Sequence, residues 1–179
     1  KPLKLPDRKA DPMRYLSVKY GCPEWIVGQW TAQYGEENAE GLAESSVSRP
    51  PLYARVNTLK TSADALAALL REQGVQAEKH PWLENCLILS KTGSIEAIPA
   101  YRDGLFYIQD LSSQLCAQAL SARPGDTVLD ICAAPGSKSF TAAQMMENSG
   151  KILAFDLYEH KCRLIADGAK RLGISIIKT

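Results

Sequence analysis

The chain has 179 residues, which fits one or two domains, and an apolar share of 45%, enough for a packed core. Twenty-one Lys and Arg against 20 Asp and Glu leave a net charge of +1 with no basic block, so charge alone argues for no nucleic-acid partner. No run is long and apolar enough for a membrane-spanning helix and no N-terminal stretch has a signal-peptide layout, so a cytoplasmic protein with no membrane partner is expected.

Lys1 to Ala10 carries five charges and two prolines and reads as an arm. Asp11-Pro12 is an N-cap followed by a proline at the first helical position, so a helix should start there and end at Gly21. Its apolar face would be Met13, Leu16 and Tyr20. Pro23 should open a second helix through Tyr34, with Trp25, Ile26 and Trp30 at helical spacing. A Trp stripe can stack on bases, but core packing is the more ordinary use. A weaker third helix is expected over Glu36 to Glu44. Ser45 to Pro51 is a linker by composition, and the first boundary is placed there, giving an N-terminal arm and helices over 1–48.

Leu52 to Asn57 alternates like a strand. Thr61-x-x-Asp64 reads as a capping box, opening a helix with Ala63, Leu66, Ala67, Leu69 and Leu70 on one face and Gly74 at its end. Val75 to His80, Cys86 to Ser90 and Leu105 to Gln109 read as further strands. Strand, helix, strand, strand makes 49–110 a small α+β unit. Ser112 or Ser113 should cap the next helix, which carries Leu115, Cys116 and Leu120.

From 111 to 179 the pattern becomes α/β. Val128 to Ile131 reads as a buried parallel strand with Asp130 near its end. Cys132-Ala133-Ala134-Pro135-Gly136-Ser137-Lys138 then makes a tight turn of small residues, and Ser139 to Met146 looks helical. This is how open α/β sheets present backbone N–H groups to a ligand. A phosphate-cradling G-x-x-x-x-G-K-[ST] loop fails on spacing, and a dinucleotide G-x-G-x-x-G fails because the loop has one glycine. What remains suits a nucleoside with an uncharged or cationic tail. A second apolar strand, Lys151 to Phe155, runs into Asp156, which falls 20 residues after Gly136. An acidic residue at that offset takes ribose hydroxyls. A helix over Glu159 to Leu172 should pack Cys162, Ile165 and Ala169 inward, and Ile174 to Ile177 starts a third strand.

The run Asp130-x-Cys132-Ala133-Ala134-Pro135-Gly136-x-Lys138 resembles motif I of the RNA cytosine-C-methyltransferases of the Sun/Fmu (NOL1/NOP2) family. Arg55-Val56-Asn57 and Gln109-Asp110-x-Ser112-Ser113-Gln114 resemble landmarks upstream of it. Ser137 stands where that family usually has a second glycine. The resemblance implies an incomplete Rossmann-like methyltransferase fold preceded by a small α+β RNA-binding subdomain and N-terminal helices, with S-adenosyl-L-methionine as cofactor and RNA, ribosomal by the nearest match, as partner. It implies that Asp156 binds the ribose, that Cys132 to Lys138 surround the cofactor, and that Arg55, Lys60 and Arg102 are candidate phosphate contacts. Ordinary solvated charge explains each of those three equally well taken singly.

Five cysteines (Cys22, Cys86, Cys116, Cys132, Cys162) include no C-x-x-C, and the two histidines lie far from any ligand pattern, so no metal is expected. The family's two catalytic cysteines follow Pro and Thr, and none of these five does. The chain as given is therefore expected to carry no catalytic residue and no transferase activity of its own. The alternatives are a non-catalytic RNA-binding module with a vestigial cofactor fold and, more weakly, a nucleotide-dependent oxidoreductase, which the missing glycine fingerprint disfavours.

Overall fold

The computed structural model describes residues 4–179, so the first three residues of the expected arm lie outside it. The chain divides into two compact units, 1–50 and 51–179.

The first unit is helical, with α1 (Pro12–Tyr20), α2 (Glu24–Tyr34) and α3 (Glu36–Val47). Asp11 caps α1 by accepting from the Arg14 N–H at 3.0 Å, and Gly21 ends it in the left-handed region. Leu16, Tyr20, Cys22, Val27 and Ala43 form the core, with Ile26 and Trp30 against them. Trp25 and Met13 were expected inside and are not: Trp25 is 67% exposed, and Met13 is also exposed. The small bundle has too little inner surface to take every apolar residue at helical spacing. Helix α3 also runs on into the expected linker. Ser45 and Ser46 donate to the carbonyls of Leu42 and Ala43, so their polarity is spent within the last turn.

The second unit holds two sheets. The first is β1 (Leu52–Val56), α4 (Ala63–Glu72), β2 (Gln76–Lys79), β3 (Cys86–Ser90), a 3-10 turn, α5 (Pro99–Arg102) and β4 (Phe106–Ile108). Its strand order is β2-β3-β1-β4, with every pairing antiparallel. This is the split β-α-β of a ferredoxin-like fold. One face meets α4: Ala54, Val56, Leu66, Leu70, Leu87, Leu89 and Phe106 form a single core. Ser62, not Thr61, caps α4, accepting from the Ala65 N–H, while Asp64 pairs with Lys79 at 2.7 Å.

Then come α6 (Leu111–Ala119), β5 (Thr127–Asp130), α7 (Ser137–Met145), β6 (Lys151–Ala154), α8 (Glu159–Leu172) and β7 (Ile177–Lys178), with the three strands parallel in the order β5-β6-β7. Asp110 rather than either serine occupies the N-cap of α6 and makes no side-chain cap bond. Strand β5 is an edge, so it is not the buried strand expected: Leu129 is 61% and Ile131 69% exposed. For the same reason Leu115, Cys116 and Leu120 of the α6 region face out, and Gln114 and Ala117 are its buried residues.

The two sheets are stitched by polar contacts. Asn57 is fully buried and donates through Nδ2 to the carbonyls of Gly104 and Leu172, both at 2.8 Å. The Lys60 ammonium binds the carbonyls of Asp103 (2.8 Å) and Arg171 (3.0 Å), a cation at the C-terminal end of α8. Arg171 in turn stacks on the Tyr101 ring at 3.9 Å and donates to the carbonyls of Tyr101 and Phe106. Gly104, at φ +70°, lets this happen: a Cβ there would lie 2.0 Å from the Arg171 carbonyl oxygen.

Candidate functional site

The loop after β5 and the carboxylate after β6 meet at one end of the parallel sheet. Asp130 pairs with Ala154 in register, and the Phe155 N–H reaches the Asp130 carbonyl at 2.8 Å, so the two strand ends stay side by side. The chain then turns through the Ala133 N–H donating to the Phe155 carbonyl and the Gly136 N–H donating to the Ala133 carbonyl. Gly136 sits at φ +105° at the N-cap of α7, and a Cβ on it would strike the Phe140 ring at 2.5 Å. Only glycine allows this helix start. The first N–H groups of α7 have no partner inside the helix, as at any helix start, and can donate to a ligand there.

Asp156 binds the loop itself. Its Oδ2 accepts from the Ala134 N–H at 3.1 Å and its Oδ1 from the Leu157 N–H at 2.9 Å, and the Lys161 ammonium lies 3.4 Å from Oδ1. Partial burial raises the carboxyl's pKa, and these donors and the lysine more than offset it, so the net shift is downward and Asp156 is ionised at neutral pH. Each carboxylate oxygen has two lone pairs, and Oδ2, with the Ala134 N–H as its one donor, keeps one to accept a further hydroxyl. Lys161 was missed in the sequence; it stands one turn into α8, where spacing to a strand-end acid carries no pattern. Asp130 acts as a tie: its Oδ2 accepts from the Ser139 hydroxyl at 2.7 Å, locking the strand end to α7.

The expected site residues are not brought to a single concavity. Cys132 and Lys138 line a hollow of about 400 Å³ against the open side of β5, with Asp130 and Leu129. Pro135 and Ser137 line a second, of about 360 Å³, beside Tyr101, Phe140 and Asp167. Ala133 is buried, and Asp156 borders neither hollow.

The expected phosphate contacts fare differently from one another. Arg55 is 3% exposed, between Cys86 on β3 and Tyr107 on β4 in the sheet's register, and its Nε and Nη1 meet no acceptor among the described residues. A guanidinium held there is out of reach of an RNA backbone. Lys60 is exposed and gives two of its three N–H donors to carbonyls, keeping its charge. Arg102 is exposed too, with a 3.3 Å bond to the Ala97 carbonyl. The Cys86 thiol beside Arg55 is pushed up by burial, against the Gln114 bond and the arginine's field, and stays protonated.

Residues 22–96 match the family described as Methyltr_RsmF/B-like, ferredoxin-like domain, and residues 117–179 match that described as 16S rRNA methyltransferase RsmB/F. The chain belongs to the RsmB/F methyltransferase family. Among its relatives, "Probable ribosomal RNA small subunit methyltransferase B" of Bacillus subtilis (strain 168) is 39% identical over 96% of this chain and 38% of its own length. "Ribosomal RNA small subunit methyltransferase B" of Shigella flexneri is 31% identical over 88% of this chain and 36% of its own. This RsmB/F chain thus spans under two fifths of these relatives. A solved methyltransferase homolog protein from Pyrococcus horikoshii superposes with a TM-score of 0.83 at 34% identity, covering 94% of this chain and 55% of that one. The structure of NSun6 from Pyrococcus horikoshii with SFG, at 21% identity and a TM-score of 0.77, shares the fold.

Proposed function

We propose that this chain is the ferredoxin-like and cofactor-binding portion of an S-adenosyl-L-methionine-dependent enzyme that methylates carbon 5 of cytosine in small-subunit ribosomal RNA in the cytoplasm. The observation that carries the reading is the joint between Asp156 and the loop. An ionised carboxylate at the end of β6 holds the turn after β5 by its Ala134 N–H, and the turn offers backbone donors with no phosphate cradle. That donor set fits a nucleoside whose ribose is taken by a carboxylate and whose tail carries no phosphate.

In this reading Asp156 accepts the ribose hydroxyls, and Cys132 to Ser137 pack round the amino-acid end. Lys138, at the second position of α7, anchors the loop or meets the cofactor's carboxylate. The cofactor supplies an electrophilic methyl on a sulfonium. Carbon 5 of cytosine is a poor nucleophile, and the family's chemistry uses a cysteine thiolate added to carbon 6 to make it enamine-like. None of the five cysteines here follows Pro or Thr as the family's catalytic pair does, Cys22 and Cys86 are also buried, and Cys132 sits in the cofactor loop. The RNA partner is supported by membership of the RsmB/F family, with the exposed Lys60 and Arg102 as the phosphate candidates on this chain.

Calorimetric titration with S-adenosyl-L-methionine, with NAD and ATP as controls, tests the cofactor class. Selective binding that weakens in Asp156→Ala supports it. Equal binding of NAD or ATP overturns it.

A further inference from the structure

The face of the ferredoxin-like sheet turned away from α4 meets the methyltransferase part through side chains that reach the cofactor loop. Tyr107 of β4 is buried, and its phenolic oxygen lies 2.8 Å from the Thr141 hydroxyl on α7. Thr141 is fully buried and lies 3.0 Å from the Ser137 carbonyl and 2.9 Å from Gln109 Oε1, both acceptors. A threonine hydroxyl has one proton to give, so it donates to one of these acceptors and accepts the proton of Tyr107. Burial raises the phenol's pKa far above its ordinary value, against the Thr141 bond and the Arg55 field, so this donor persists at any working pH. Ser137 is the first residue of α7 and the last of the small-residue turn.

A second, apolar link runs beside the polar one. The Tyr107 ring meets Phe140 edge to face, with centroids 5.7 Å apart and planes at 84°. Phe140 is wedged between two glycines: a Cβ at Gly136 would come within 2.5 Å of its ring, and one at Gly168 within 2.6 Å. One side chain of the ferredoxin-like sheet therefore bears on both Ser137 and Gly136, the two residues that shape the helix start.

We propose that Tyr107 is a positioning residue for the cofactor loop, holding the Gly136–Ser137 turn through Thr141 and Phe140, so that the loop's geometry depends on the ferredoxin-like sheet. The claim that this turn is the cofactor's rests on the function proposed above; the buttress itself does not.

The test is amide hydrogen exchange by NMR on this 179-residue chain, with cofactor titration alongside. Tyr107→Phe removes the hydroxyl and keeps the ring. The Gly136 and Phe140 amides are expected to exchange about fivefold faster, the worth of one ordinary buried hydrogen bond, while amides of α4 stay within about twofold. Thr141→Val should reproduce the effect, and Thr141→Ser, which keeps a hydroxyl, should restore wild-type exchange. The Kd for S-adenosyl-L-methionine should rise by about the same factor in the first two variants. Unchanged loop amides overturn the proposal. Equal acceleration in α4 and the loop also overturns it, because that is a loss of general stability. If the wild-type chain binds no S-adenosyl-L-methionine while the exchange pattern holds, the buttress stands and the cofactor reading fails.

Discussion

Asn57 joins the two sheets of the second unit, and removing its amide should cost most of that joint. In Asn57→Ala the buried carbonyls of Gly104 and Leu172 each lose a 2.8 Å donor, and the Leu59 N–H loses a 3.2 Å acceptor. A buried polar group left without its partner costs about 1–3 kcal/mol. With both carbonyls affected, a loss of about 2–4 kcal/mol is expected. For a unit of this size each kcal/mol moves the midpoint by about 3–5 °C, so Tm should fall by roughly 10 °C. Thermal and urea unfolding followed by circular dichroism measure both quantities. Asn57→Asp separates the hydrogen bonds from the cavity: it fills the space but has no donors for the two carbonyls, so it should be at least as unstable as alanine. A loss below about 1 kcal/mol in Asn57→Ala, or an aspartate variant close to wild type, would refute the assignment of the joint to these bonds.

Gly104→Ala should be as severe, because its Cβ would meet the Arg171 carbonyl oxygen at 2.0 Å at a φ of +70°; a urea midpoint near wild type counts against it. Arg55→Met replaces a buried guanidinium with Nε and Nη1 unpaired by an apolar chain, so stability should hold within about 1 kcal/mol or rise, and RNA affinity with its salt slope should not change. Filter binding to a ribosomal RNA fragment checks it, and a shallower slope would restore Arg55 as a phosphate contact. The Asp156 carboxyl has a depressed pKa, so its contribution is complete above the unfolded value of about 3.9 and is lost as pH falls through the lower folded value. The Ala134 amide shift should therefore titrate with a midpoint below about 3.9 and become flat in Asp156→Asn; a midpoint above that value contradicts the bonding described.

The parts of the site that were legible in the sequence are those fixed by local chemistry. Gly136 after Ala-Ala-Pro marks a turn with a positive φ, Asp156 ends an apolar run, and Gly21 and Gly173 stop their helices where expected. The short helix α5 went unseen because four residues carry no period. Trp25 and Met13 went wrong for one reason: periodicity says which residues share a face but not whether a neighbour covers it.

By itself the sequence determined the order of elements, the turn after β5, the acid after β6 and the family, because each depends on residue type at short spacing. Tertiary structure alone decided what Arg55, Asn57, Lys60 and Tyr107 do. All four lie on or just after β1 and β4, yet they divide into a buried guanidinium, a joint to α8, a cap on its carbonyls and a contact with Thr141 of α7. The partners of Asn57, Lys60 and Tyr107 come from the turn after α5, from α7 and from α8, up to 115 residues away along the chain. A side chain's role depends on which acceptor reaches it in space, and no local pattern encodes that distance.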